Sequence, residues 1–226
     1  MSRLLLVRHG QARAFDKHAD KLTPMGETQA RAFGAWLGNT AAFELNSGTL
    51  LRQQETAALI RPAQTVLLDP RWNEYDAIGL MEHGAPALAA ADPAFAALLE
   101  TANRHRQQPD ANRYFQPMFE ALLHRWIAGE IEHNDVEPWP AFLARVGEAL
   151  DGTLSRGKRD VLVVTSGGVI AAVVQRVLQA PPRMALELNW RMRNASLTEL
   201  LFTKGRVSLD SFNATPHLTP DQITYR

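Results

Sequence analysis

The feature that most constrains this chain is an apolar run that stops abruptly at polar residues close to its beginning. Residues 4–7, Leu-Leu-Leu-Val, are followed at once by Arg8, His9 and Gly10. Four consecutive apolar residues are typical of a strand that is covered on both faces, and open α/β sheets bind their ligands at the carboxyl ends of such strands. Gly10 lets the backbone leave the strand sharply. We therefore expect Arg8 and His9 to face a ligand pocket.

The composition indicates a globular chain without a strong overall charge. The chain has 226 residues, 46% of them hydrophobic, which is enough to bury a core in one large domain. Its 24 basic and 24 acidic side chains cancel, so neither nucleic acid nor a membrane surface is an expected partner. The absence of cysteine excludes disulfides and thiol catalysis. No apolar stretch is typical of a signal peptide or a membrane span, and we expect a cytoplasmic protein.

Strand and helix patterns alternate over much of the chain. Thr23 and Pro24 predict the start of a helix that closes at Gly38 and Asn39. A further helix ends at Arg61, before a proline. Apolar runs predict strands at 43–47, 66–70, 160–165, 196–202 and 207–212. The alternation predicts an α/β fold, a three-layer α/β/α sandwich with a mostly parallel central sheet.

The alternation stops between about residues 76 and 137. Apolar residues recur there at helical spacing in 93–105 and 114–131, with Pro109 between the two segments. We expect a helical cap insertion at 76–137 within a single domain that spans residues 1–226.

Polar residues follow several of the predicted strands. Arg8 and His9 follow the first, Arg52 lies about one helical turn beyond the second, and Glu74 comes shortly after the third. Ser166 and Gly167 follow the strand at 160–165. If these strands are parallel, all of these residues converge on one edge of the sheet.

Such a set of side chains suits a phosphoryl group. Two guanidinium groups can hold its oxygens while a neutral imidazole attacks phosphorus. Glu74 could then protonate the leaving alcohol. The glycines that open the next helix, Gly167 and Gly168, would point backbone N–H groups at the anion.

Taken together, these segments resemble the histidine phosphatase superfamily, also called phosphoglycerate mutase-like. The resemblance covers most of the chain outside the cap, and the order of its segments is specific. The matching segments are 6–10, 22–30, 47–57, Glu74, 163–170 and 194–198. It implies that His9 becomes a phosphohistidine, that Arg8 and Arg52 clamp the phosphate, and that Glu74 acts first as acid and later as base.

One position departs from the family pattern. Members usually carry a second histidine where this chain has Ser166. That histidine normally donates to the phosphoryl oxygens, and serine offers one neutral donor instead. Loss of one preorganised donor typically lowers a rate by on the order of 10²–10³.

No other histidine obviously replaces the missing one. His83 is the nearest substitute, while His18 and the others fall in predicted loops or cap helices. None pairs with another at a spacing typical of zinc ligands. The resemblance also implies no metal, and we expect no cofactor.

The sequence thus predicts a phosphomonoester phosphatase that uses a phosphohistidine at His9 and is slowed by Ser166. Two alternatives stay open: a catalytically silent protein that binds phosphorylated ligands, and a protein phosphohistidine phosphatase. The expected partner is a small phosphorylated molecule, and a homodimer is an alternative to a monomer. Asp76 or Glu82 could serve as the acid instead of Glu74. Ser166 could be no more than a helix cap.

Overall fold

The structure is a computed structural model that describes residues 1–13, 20–38, 43–156 and 159–225. The predictions that concern His18 and Asn39 lie outside these residues. The described chain forms two compact units, the first made of residues 1–74 and 144–226 and the second of residues 75–143.

A six-stranded sheet forms the centre of the first unit. Its strands are β1 (Ser2–Arg8), β2 (Phe43–Ser47), β3 (Leu67–Leu68), β4 (Asp160–Thr165), β5 (Leu197–Thr203) and β6 (Arg206–Ala214). They lie in the order β3-β2-β4-β1-β5-β6. The first four are parallel, whereas β5 and β6 are antiparallel to their neighbours. This confirms the predicted α/β fold with a mostly parallel sheet flanked by helices.

The helices fall into both units. Those of the first unit are α1 (Pro24–Leu37), α2 (Leu51–Ile60), α8 (Gly167–Val177) and α9 (Met184–Trp190). Those of the second are α3 (Ala77–Gly79), α4 (Ala85–Ala91), α5 (Pro93–Arg104) and α6 (Asn112–Ile127). A π-helical turn, Leu80–Gly84, joins α3 to α4, and α7 (Trp139–Ser155) runs from the second unit into the first. Within the described residues, no helix combines the length and apolar character that a membrane crossing requires.

Alternation along β1 explains how the sheet is buried on both faces. Leu5 and Val7 point to the face where Phe33 of α1 and Ile60 of α2 complete an apolar cluster. Leu4 and Leu6, on the opposite face, are also fully buried. Burial of each such side chain stabilises the fold by about 1.5–3 kcal/mol. The run that opens the chain is therefore a central strand.

The predicted start of α1 is confirmed in detail. Thr23 caps the helix, since its Oγ1 accepts a hydrogen bond from the Gly26 N–H at 3.1 Å, and Pro24 is the first helical residue. Gly38 ends the helix with a positive φ of 63° and donates to the Ala35 carbonyl.

The predicted third strand is much shorter than expected. Only Leu67 and Leu68 pair with β2, and they are 45% and 50% exposed at the edge of the sheet. The pairing ends because the Asp69 carboxylate accepts from the Arg71 N–H and caps a 3₁₀ turn that begins at Pro70. Short edge strands of this kind limit pairing with other chains.

The second unit has helices that the pattern did not predict, at 77–91. This segment is rich in alanine and lacks a clear apolar period, so its helical character was not visible. Its unit is organised around an aromatic core. Tyr75, Trp139 and Phe142 pack with ring centroids 5.0–5.8 Å from that of Trp126.

His217 packs into the first unit between aromatic side chains of α1. Its ring meets Phe33 edge-on with centroids 4.9 Å apart, and lies 6.0 Å from Trp36. Burial lowers the pKa of His217 to about 4, against an ordinary value of 6.5. Between about pH 6.5 and pH 4, His217 is therefore protonated in the unfolded chain and neutral in the folded chain.

This linkage predicts a loss of stability in acid. The contribution of a neutral His217 is fully present above about pH 6.5 and is lost as the pH falls towards 4, because the unfolded state then binds more protons. In His217→Gln, the free energy of unfolding should fall less between pH 7 and pH 4.5 than in the parent chain. Urea titrations at both pH values measure this. Equal losses in the two proteins would contradict the assignment.

Candidate active site

The carboxyl ends of three parallel strands meet at one edge of the sheet. Arg8, the last residue of β1, is in register with Thr165, the last residue of β4. The His9 N–H donates to the Thr165 carbonyl at 2.9 Å. On the other side of β4, the Gly48 N–H that follows β2 donates to the Val164 carbonyl at 3.1 Å. His9 and Ser166 thus leave adjacent strands at the same level, as predicted.

The His9 ring is held in one tautomer. Its Nδ1 lies 2.7 Å from the Gly10 carbonyl oxygen, which can only accept, so Nδ1 carries the proton. Its Nε2 lies 3.1 Å from Nε of Arg52, which can only donate. Nε2 therefore carries a lone pair directed at a guanidinium group.

Electrostatics keep this imidazole neutral. His9 is 7% exposed, and burial lowers its pKa well below the usual value, with further lowering by the charges of Arg52 and Arg8. The hydrogen bond to Gly10 acts in the opposite direction and is the smaller effect. A neutral, unprotonated Nε2 in a cationic setting has the properties of a nucleophile for an anionic phosphoryl group.

Asp20 orients the guanidinium group of Arg52. Its carboxylate accepts a hydrogen bond from Nη1 of Arg52 and another, at 2.9 Å, from the N–H of Leu51. Because Asp20 holds Nη1, the opposite edge of the guanidinium group, formed by Nε and Nη2, faces His9. That edge is the one that binds two oxygens of a phosphoryl group side by side.

Arg8 is anchored through backbone carbonyls. Its Nη1 donates to the carbonyl of Tyr225 at 3.0 Å and to that of Met192. Its Nε lies 3.6 Å from the point that a Cβ on Gly167 would occupy. Arg8 therefore lies beside the start of α8, near the ends of β1 and β4, where the sequence predicted phosphate-binding residues.

Glu74 reaches the site through the N-terminus of α8. Its Oε2 accepts a hydrogen bond from the Gly168 N–H at 3.0 Å. The backbone before it is fixed by Arg145, which donates to the carbonyls of Asn73 at 2.7 Å and Glu74 at 3.2 Å. The carboxylate therefore occupies the position that favours an anion at a helix terminus.

This contact corrects one expectation. Gly168 was expected to direct its N–H at the bound anion, and it holds the Glu74 carboxylate instead. The reason is that Glu74 supplies a carboxylate within the chain that accepts from this buried N–H, which has no partner within its own helix. At Gly167, the first residue of α8, a Cβ would lie 2.3 Å from Oδ1 of Asn189, so a larger residue there would require the Asn189 side chain to move.

Ser166 is fully buried, and Gln53 is its partner. The Ser166 hydroxyl accepts a hydrogen bond from Nε2 of Gln53 at 2.9 Å. Its side chain makes no capping hydrogen bond to α8. The alternative interpretation of Ser166 as a helix-capping hydroxyl is therefore wrong. Nε2 of Gln53 also donates to the Trp72 carbonyl at 3.2 Å.

The loop after His9 is packed tightly against α1. A Cβ on Gly10 would lie 2.4 Å from the carbonyl oxygen of Gly26, and a Cβ on Gly26 would lie 2.1 Å from that of Gln11. The Gly10 N–H donates to the Thr56 hydroxyl at 3.1 Å. Helices α1 and α2 thus hold the backbone on which His9 is presented.

The structure brings the predicted residues together and adds two that the sequence did not single out, Asp20 and Gln53. The one sequence signal for Asp20 is a carboxylate just before the Leu22–Pro24 segment, and nothing in the sequence shows that Gln53 faces inward. Among the alternative acids, Asp76 caps α3 by accepting from the Gly79 N–H at 2.8 Å. His83 stacks on His133 within the second unit.

Comparison with known families agrees with this geometry. The model of the histidine phosphatase superfamily, branch 1, matches residues 4–118 and 104–215. The chain therefore belongs to the histidine phosphatase superfamily. A comparison with curated protein sequences found no significant match.

Solved structures of phosphatases share the fold. A phosphoserine phosphatase mutant from Entamoeba histolytica in complex with phosphoserine is 18% identical, with 97% of this chain and 100% of that chain covered and a TM-score of 0.64. The α-ribazole phosphatase from Shigella flexneri is 22% identical, with 94% and 96% covered and a TM-score of 0.64. A mycobacterial glucosyl-3-phosphoglycerate phosphatase is 25% identical, with 95% and 100% covered and a TM-score of 0.63.

The hydrogen bonds of His9 predict its protonation state in solution. We expect ¹⁵N-edited NMR of the histidine rings to show the tautomer with the proton on Nδ1. The ring should stay neutral below the ordinary imidazole pKa of 6.5, since burial and two arginines disfavour the cation. Exposed His124 is the internal reference for a solvated ring. An Nε2-protonated ring, or titration of His9 near pH 6.5, would contradict this description.

Proposed function

We propose that the chain is a phosphomonoester phosphatase that acts through a phosphohistidine at His9, with a rate lowered by Ser166. The observation that carries the proposal is the Nε2 lone pair of His9, 3.1 Å from the Arg52 guanidinium group. We further propose that residues 76–137 are a helical insertion in a single histidine phosphatase-like domain.

The first half-reaction transfers the phosphoryl group to the enzyme. The substrate's phosphoryl oxygens accept hydrogen bonds from Nε and Nη2 of Arg52 and are attracted by the charge of Arg8. Because Nε of Arg52 then donates to the substrate, Nε2 of His9 is released from its hydrogen bond with Arg52. Nε2 then forms a bond to phosphorus while the ester P–O bond breaks. This step uses Glu74 in its acid form, with the proton on Oε1 while Oε2 accepts from the Gly168 N–H. Glu74 gives that proton to the leaving alkoxide, so the product is a neutral alcohol.

The second half-reaction returns the enzyme to its starting state. Glu74, now a carboxylate, takes a proton from water as the water oxygen bonds to phosphorus. The N–P bond breaks, and inorganic phosphate leaves. The proton stays on Nδ1 throughout, hydrogen-bonded to the Gly10 carbonyl, so the ring can accept and release the phosphoryl group without changing tautomer.

Ser166 is proposed to limit the rate because of what it replaces. Relatives of this family usually have a charged donor at this position, whereas here it is a neutral hydroxyl whose oxygen accepts from Gln53. The negative charge that spreads over the phosphoryl oxygens in the transition state is then stabilised by at most one neutral donor in place of a charged one. The two arginines still bind the ground state.

A catalytically silent phospho-ligand binder is the second candidate. The observation that favours it is that the side chain at this position is a buried, neutral hydroxyl, which adds no positive charge to the site. Binding of phosphate needs only the arginines, whereas turnover also needs stabilisation of the transition state.

Hydrolysis of an aryl phosphate separates the two candidates. We expect measurable kcat in the parent chain, none in His9→Ala, and a kcat raised by on the order of 10² in Ser166→His. Acid-labile phosphohistidine should be trapped in the parent chain and be absent from His9→Ala. Ser166→Leu is the matched control, since it adds similar bulk without a donor.

Two outcomes would overturn the phosphatase. Parent and Ser166→His chains that are both inert, while phosphate still binds, would establish the silent binder. Activity that persists in His9→Ala would exclude His9 as the nucleophile.

The Asp20–Arg52 contact predicts a positioning role for Asp20. In Asp20→Asn the carboxylate that holds Nη1 becomes a neutral amide, so Arg52 is less well oriented. We expect kcat/KM to fall about tenfold, which is about 1.4 kcal/mol, because the amide keeps a neutral hydrogen bond and loses only part of the roughly 1.5–3 kcal/mol of a charge-assisted one. The pH dependence of kcat should not move. The control is Glu55→Gln, which alters a nearby carboxylate that accepts from the Leu22 N–H rather than from Arg52. Equal effects in both variants would contradict a specific role.

A further inference from the structure

The second unit contains a cluster of metal-ligating side chains that the phosphatase proposal does not use. His83, His133 and Asp135 each place one ligand atom within 4.8 Å of those of the other two. The His83 and His133 rings are nearly parallel, with centroids 5.1 Å apart. The Nδ1 atom of His133 lies 3.7 Å from Oδ2 of Asp135. We propose that these three side chains bind a divalent transition-metal ion of the zinc class.

The backbone brings these residues together although 50 positions separate the two histidines. His83 lies on the π-helical turn Leu80–Gly84, a rare conformation that is frequent at functional sites. A Cβ on Gly84 would lie 3.3 Å from Cγ2 of Ile131, and one on Gly79 would lie 3.5 Å from the Asp135 carbonyl oxygen. The turn therefore packs directly against the segment that carries His133 and Asp135.

The segment that carries His133 and Asp135 is fixed within its unit. Val136, the next residue, is 5% exposed and its N–H donates to the His133 carbonyl at 3.1 Å. The Trp126 indole N–H donates to the Glu137 carbonyl at 2.7 Å. The ligands thus lie on an anchored turn, which lowers the entropy that metal binding must overcome.

The chemistry of the three side chains favours zinc, cobalt or nickel over magnesium or calcium. Two imidazoles and one carboxylate suit the former group, whereas the hard cations prefer oxygen ligands only. Residues 132–137 contain three carboxylates and no lysine or arginine, which favours a cation. At Nδ1 of His133 a metal would replace a 3.2 Å hydrogen bond from the Asp135 N–H, and solvent can satisfy that donor because Asp135 is exposed.

The site would keep an open coordination position. Three protein ligands leave a fourth tetrahedral position for water or an anionic oxygen. His133 and Asp135 line a cleft of about 880 Å³ in the same unit, together with Glu132, Trp126 and Trp139. The cleft is large enough to admit such a ligand.

Titration with Co²⁺ tests the proposal directly. Full-length chain freed of any affinity tag and treated with chelator should bind one Co²⁺ with a visible absorption band. His133→Ala should weaken the affinity at least tenfold, and Asp135→Asn should weaken it less. His124→Ala, which removes an exposed histidine of the same unit, should bind as the parent does. Zn²⁺ should raise the thermal midpoint of the parent but not of His133→Ala.

The substituted residues are chosen so that neither misfolding nor a change in phosphatase activity can account for a loss of metal binding. His133 and Asp135 are exposed, so their substitution should leave the circular dichroism spectrum unchanged. His83→Ala, which alters a half-buried residue, is a supporting variant. Absence of saturable Co²⁺ binding, or equal affinity in His133→Ala and the parent, would overturn the site and leave His133 and Asp135 as a solvated pair.

Discussion

The parallel pairing of β1 with β4 is the interaction on which the candidate site depends. It places Arg8 opposite Thr165, and the hydrogen bond from the His9 N–H to the Thr165 carbonyl extends that register one residue beyond the strand. Since side chains in a strand change face at every residue, a slip of one position would turn the His9 side chain away from the residues after β4. The buried apolar residues of both strands set the register, and so the hydrophobic core also determines the geometry of the chemistry.

Around that register the site separates positive and negative charge over a few ångströms. Arg52 and Arg8 destabilise a protonated His9, while Asp20 and Glu74 each have a separate donor that keeps them in place, Nη1 of Arg52 and the N–H of Gly168. The imidazole can stay neutral because neither carboxylate is its hydrogen-bond partner. In the reaction that we propose, this division leaves attraction of the anion to the arginines and attack on phosphorus to the ring.

The sequence was sufficient for the parts of the fold that rest on local patterns. The strand before Arg8 and the helix start at Thr23 and Pro24 were predicted because burial and helix capping each require particular residue types at consecutive positions. Gln53 was not predicted, because its partner Ser166 is 113 positions away and a glutamine on a helix gives no sign of facing inward. The pairing of His83 with His133 was missed for the same reason: spacing along the chain reveals metal ligands only when they share a helix or a turn.

The contact between Gly10 and Gly26 restricts how this chain could change over evolutionary time. A methyl group on Gly10 would overlap the backbone of Gly26, and a methyl group on Gly26 would overlap the backbone of Gln11. A substitution at either position must therefore shift the loop that presents His9, and no change at the other glycine can restore the lost space, because both are already the smallest residue. Sequence drift in this part of the molecule is confined to residues that face away from the contact.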